Sequence, residues 1–163
     1  MGMCLLDGPA PLAQATEFAE RHLAAARERS MQAMEADMLH LLGVGLGRRA
    51  RFDEGRDALS ESIAMSQDLG LLYMAQWGQR SLGRLELSAG DPQAAEHELR
   101  ESWDVLTRMG LTSSLSETAV PLAEALYAQG RYEEADATLK EVKDEWAAQW
   151  RQRKKAEKES TGN

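Results

Sequence analysis

The chain has 163 residues, 43% of them apolar and 6% aromatic, and a formal net charge of -8. That length buries a core without metal or disulfide support, and a single cysteine, Cys4, excludes an internal disulfide and fits a reducing compartment. No apolar run approaches the roughly 20 residues that span a bilayer, and "MGMCLL" is too short for a signal-peptide core, so the expectation is a cytoplasmic protein without membrane contact.

Few aromatics, four prolines and an abundance of Ala, Leu, Glu and Arg favour helices over sheets, and an all-α fold is expected. The acidity is uneven: residues 151–163 carry a local +3, leaving -11 on the rest. An acidic body repels phosphate backbones, so nucleic acid is not an expected partner.

In chain order, the first element is "APLAQATEFAERHLAAA", which reads as one amphipathic helix within residues 9–30. From there the text repeats every forty residues. Leu42, Leu82 and Leu122 coincide, each followed by a small residue, Gly43, Gly83 and Ala123. Eight positions after each Leu come Ala50, Gly90 and Gly130, then Phe52, Pro92 and Tyr132, then Gly55, Ala95 and Ala135, then Leu59, Leu99 and Leu139. Gly70 and Gly110 close the first two units. Each unit reads as a helix, a tight turn and an antiparallel helix, with the small residues where two backbones approach. "GDPQ" shows the turn most clearly: Asp91 is placed to cap and Pro92 sits at the first helical position.

The pattern Leu-small-x-x-bulky, then Gly-x-Tyr/Phe/Pro-x-x-Ala, then an apolar residue four later resembles the tetratricopeptide repeat (TPR), most closely in "LAEALYAQGRYEEADATL". The resemblance implies a TPR-like α-solenoid of antiparallel helix hairpins over 1–163: a half repeat at 9–30, full repeats at 31–70, 71–110 and 111–149, and a helix extension with a polar tail at 150–163. Two features depart from the family pattern. The period is 40 rather than about 34, and Glu86 stands where the other copies have Leu46 and Leu126. Lengthened repeats of this kind resemble the C-terminal arrays of large bacterial ATP-dependent transcriptional regulators and of cyclase-ATPase signalling proteins.

In such arrays the first helix of each hairpin lines a concave groove. By register, the groove would hold Asp37, His40, Val44, Gly47 and Arg48, then Trp77, Arg80, Arg84, Leu87 and Ser88, then Glu117, Val120, Glu124 and Tyr127. Trp77, Arg80 and Arg84 share a helix face and suit a peptide with an acidic or aromatic group; the alternative is that Trp77 packs on the next hairpin while both arginines pair with Glu117 and Glu124. The resemblance therefore implies a non-enzymatic interaction module with a protein or peptide partner; a small-molecule sensor and an oligomerisation module are its rivals. The Lys and Asn arrangement that clamps chaperone tails in some TPR proteins is not matched.

No catalytic or metal-binding pattern emerges, and no cofactor is expected. His22 and His97 lack partners at metal-ligand spacing, "LGVGLG" lies inside a helix without a following "GK[ST]", and Glu133 and Glu134 read as a solvated face. Ser114 and Glu117 form a capping-box pattern that leaves Pro121 inside a helix, which either kinks there or starts near Thr118. Finally, Leu139, Val142, Trp146 and Trp150 form a stripe at helical spacing. Trp146 and Trp150 either cover the end of the third hairpin or mark a sticky end that joins two chains as a homodimer or docks on the next segment of a longer protein.

Overall fold

A computed structural model describes residues 12–161. The predicted positions Ala10 and Cys4 lie outside the described residues. Among those described, seven helices follow one another: α1 Leu12–Glu28, α2 Gln32–Gly47, α3 Phe52–Asp68, α4 Leu72–Ala89, α5 Pro92–Arg108, α6 Thr112–Ala128 and α7 Tyr132–Thr161. Each packs against its chain neighbours. The fold is an all-α, TPR-like helical solenoid.

The turns explain why helices of such similar length recur. Ser30, Ala50, Gly70, Gly90, Gly110 and Gly130 all have positive φ, between 53° and 86°. The N–H of the following residue bonds back across each turn, from Met31 to Ala26, Arg51 to Leu46, Leu71 to Ser66, Asp91 to Glu86, Leu111 to Leu106 and Arg131 to Leu126, at 2.8–3.1 Å. These are Schellman closures, which satisfy carbonyls that a helix end would otherwise leave bare. Glycine reaches this conformation without steric cost, whereas Ser30 and Ala50 hold it against their Cβ. At the start of α5, the Asp91 carboxylate accepts from Ala94 N at 2.9 Å with Pro92 beside it.

Close approach of helices depends on small residues. A Cβ on Gly43 would lie 2.7 Å from Leu59 Cγ and 2.9 Å from the Gly55 carbonyl, and a Cβ on Gly83 would lie 2.6 Å from Leu99 Cγ. Further along, Ala95, Ala123 and Ala135 share one buried cluster with Leu99, Leu122 and Leu126. Two serines repeat a tie between the two helices of one hairpin: Ser62 Oγ donates to the Ala36 carbonyl at 2.7 Å, and Ser102 Oγ to the Gln76 carbonyl at 3.5 Å.

Pro121 falls inside α6, which begins at Thr112 rather than near Thr118. The expected capping box is not formed, because Leu111 occupies the N-cap with no side-chain cap and Ser114 already lies within the helix. Pro121 is tolerated as a wholly buried residue, and Thr118 Oγ1 donates to the Ser114 carbonyl at 3.1 Å on the preceding turn.

Glu86 is buried at 4% exposure, and Arg56 of α3 explains it: Arg56 Nε and Nη2 donate to its two carboxylate oxygens at 2.7 and 2.8 Å. An ion pair thus replaces the leucine of the other copies, where Leu46 and Leu126 are buried.

Candidate functional site

The two sides of the solenoid differ in how tightly their helices are gathered. Besides its chain neighbours, α2 packs closely on α4 and α4 on α6, whereas among the described residues the odd-numbered helices stand further apart and are bridged by long side chains, Arg27 of α1 to Glu61 of α3 at 3.0 Å and Arg100 of α5 to Glu134 of α7 at 3.5 Å. Helices α2, α4 and α6 therefore form the inner, concave row. The residues expected by register to line a groove lie on these three helices, with Arg48 at the C-cap of α2.

Three side chains form a continuous polar seam across it. His40 of α2 is 4% exposed; its ring stacks at a tilt on Trp77 of α4, with centroids 4.5 Å apart, and its Nε2 shares a hydrogen bond of 2.9 Å with Ser81 Oγ. One turn along α4 from Trp77, Arg80 is 6% exposed and donates through Nη1 to Glu117 Oε2 of α6 at 2.7 Å and to the Ser114 carbonyl at 3.3 Å. Burial pushes the His40 imidazole down to about 4, and the Arg80 charge pushes in the same direction, so His40 is neutral near pH 7. Aromatic contact and hydrogen bond tie α2 to α4, and the ion pair ties α4 to α6.

The remaining residues lie around that seam. Val44 is half-buried and packs against two core clusters. Arg84 and Glu124 are exposed at equivalent positions of α4 and α6, and exposed Arg48 is the C-cap of α2. Tyr127 is 66% exposed and its ring lies 4.7 Å from that of Tyr132, at the turn into α7. Val120 is exposed on the same row, and half-buried Asp37 has its carboxyl raised, first by burial. On α4, Trp77 is half-buried and Arg84 exposed, while Arg80 is committed to Glu117 and presents no open cation. The second ion pair of the sequence alternative, Arg84 with Glu124, does not accompany the first among the described residues.

Register reasoning missed Ser81 and Tyr132. Both were findable as neighbours of named positions: Ser81 lies one residue past Arg80, and Tyr132 closes the turn that Tyr127 opens. Among the described residues no group of His, Cys, Asp and Glu could hold a metal ion, and no helix is long and apolar enough to cross a membrane. The inner row thus offers a half-buried aromatic, an exposed guanidinium and the exposed Val120, side-chain types that can take part in recognition by stacking and charge.

No protein-family model matches the chain, and no curated protein matches it. Solved structures do. BtubC (BKLC) from P. vanneervenii superposes with a TM-score of 0.75 at 21% identity, over 85% of this chain and 57% of that one. A Rap protein complexed with Competence and Sporulation Factor gives a TM-score of 0.75 at 14% identity, over 83% of this chain and 39% of that one. A Podosopora anserina putative kinesin light chain with nearly identical TPR-like repeats gives 0.67 at 19% identity, over 85% and 68%. The chain spans little more than half the length of the first and well under half that of the second. At these identities the likeness is one of fold, a TPR-like row of helix hairpins.

Proposed function

We propose that this protein is a non-enzymatic protein–protein interaction scaffold whose inner row of helices binds an extended or helical peptide segment of a partner. The observation that carries the reading is Trp77, half-buried and packed on His40. Its helix is tied to α6 through Arg80, and Arg84 stands exposed two turns further on. Aromatic and Arg side chains supply most of the energy at interfaces when their conformations are set in advance, because little ordering entropy then remains to be lost. In this reading Trp77 and Arg84 contact the partner, Val44, Glu124 and Tyr127 extend the surface, Arg48 lies at its edge, and His40 and Arg80 hold the geometry.

The proposal includes forty-residue TPR-like units and a place within a bacterial signalling or transcriptional regulatory protein. Support comes from the sequence register and from the Rap neighbour, which was solved with Competence and Sporulation Factor. Selection of a displayed random-peptide library on the full chain tests the function. Recovered peptides should compete with one another for one site and share aromatic or acidic positions; failure to recover any saturable binder contradicts it.

A further inference from the structure

Helix α7 is built unlike the others. It runs for 30 residues where α3, α5 and α6 run for 17, and among the described residues it packs against α6, with Glu134 in its first turn reaching Arg100 of α5 at 3.5 Å. The excess of 13 residues adds about 20 Å of helix at 1.5 Å per residue. Such a stretch has little stability in water by itself.

Its outer face is apolar. Leu139 is 43% exposed, Trp146 56% and Trp150 48%, and the two indole rings lie nearly parallel, 9° apart, with centroids at 6.1 Å. In the earlier copies Leu59 and Leu99 stand in the place of Leu139, and Leu106 stands in the place of Trp146; all three are wholly buried. Leu59 lies in a cluster with Leu82 and Leu85 of α4, and Leu99 with Leu122 and Leu126 of α6. The α7 stripe therefore corresponds to a face that, one and two hairpins earlier, packs beneath another helix.

The charge pattern selects the occupant. Residues 132–148 carry six acids and two bases, a net of -4, while residues 149–161 carry five bases and two acids, a net of +3. A parallel copy of α7 would set like charges side by side. An antiparallel copy sets each basic half beside an acidic half, twice, around apolar Trp146 and Trp150.

We propose that α7 is a self-association element: two chains pair through antiparallel α7 helices around a two-fold axis near Trp146. The contact is isologous and closes at two copies. Antiparallel charge pairing also sets the register, in the way flanking charges do in helical zippers.

Sedimentation equilibrium on the full chain tests this. The wild type should show twice the chain mass in the micromolar range, with association weakening as salt rises. Trp146→Glu with Trp150→Glu should weaken association at least about tenfold at unchanged helix content. Reversing the acidic half alone (Glu141→Lys, Asp144→Lys) should weaken it about tenfold, as should reversing the basic half alone (Arg151→Glu, Lys155→Glu). Combining the two reversals in one chain should restore it, because the complementarity returns with opposite sign. A monomer at every concentration, a mass that climbs without limit, or charge reversals without effect would each overturn the proposal. Glu141, Asp144 and Arg151 are exposed, so their reversals keep it falsifiable even if the tryptophan variant misfolds.

Discussion

The Arg56 guanidinium grips the Glu86 carboxylate through two hydrogen bonds, of 2.7 and 2.8 Å, joining α3 to α4 at a position that leucine fills in the other two copies. The Glu86 side chain is 6% exposed and that of Arg56 38%, so removing the arginine strands a buried charge that water can only partly reach. Arg56→Ala should lower stability by about 2 kcal/mol, below the range for fully buried pairs because of the arginine's exposure. Replacing both residues with leucine should recover stability to within about 1 kcal/mol of the wild type. Urea unfolding of the two variants decides the matter; equal losses in both would show that the pair is not acting as a unit.

His40 gives the molecule an acid sensitivity whose sign is fixed by its burial. Its imidazole is pushed down from 6.5 to about 4, first by burial and then by Arg80. Between those values the unfolded chain holds a proton that the folded chain refuses, so the stability present above about pH 6.5 is lost as the pH falls toward 4. Between pH 7 and 5 the loss should be about 2 kcal/mol. That window lies above the carboxylates held low by arginine, Glu54, Glu96 and Glu134. His40→Asn should flatten the profile there, measured by urea midpoints at each pH; an unchanged slope would assign the effect elsewhere.

Ala50 holds φ at 57° in a turn where Gly90 and Gly130 adopt the same conformation without a Cβ. Ala50→Gly should therefore stabilise the protein by about 0.5–1 kcal/mol, the steric relief exceeding the added entropy of the unfolded chain. In a chain of this length that raises the thermal midpoint by about 2 °C, which calorimetry resolves.

Glycines inside the helices divide by what surrounds them. At Gly83 a Cβ would meet wholly buried Leu99 at 2.6 Å, whereas at Gly45 the nearest atom is Thr16 Cγ2 at 3.1 Å. Gly83→Ala should cost about 1–3 kcal/mol, and Gly45→Ala should be near neutral because the gain in helix propensity offsets the tighter contact. Similar losses for both would mean that helix approach does not depend on Gly83.

Much of this fold was legible in the residues. Gly70, Gly90, Gly110 and Gly130 mark turns because only glycine adopts positive φ freely, and Asp91-Pro92 marks a helix start for equally local reasons. Ser30 was not legible as a turn, since nothing in its chemistry asks for that conformation; the packing on either side imposes it. The inner row was legible as a face but not in depth. Register places Arg80 and Arg84 alike, yet Arg80 is buried because Glu117 reaches it from α6, and Arg84 stays in solvent. The anomaly of Glu86 was visible, but its partner Arg56 lies thirty residues away on another helix, where the repeat offers Glu96 and Asp136 as equivalents. Pro121 resisted because its local propensity argues against a helix interior, whereas α6 runs from Thr112 straight through it with Pro121 wholly buried.

Binding at the inner face stands or falls on the affinity of a library-selected peptide for Trp77→Ala and Arg84→Glu. An outer-helix change, Arg100→Glu, serves as control. Each groove variant should lose at least about tenfold in affinity at unchanged helix content, with the control near wild type. Peptides that bind the groove variants as tightly as the wild type would contradict a binding surface on α2, α4 and α6.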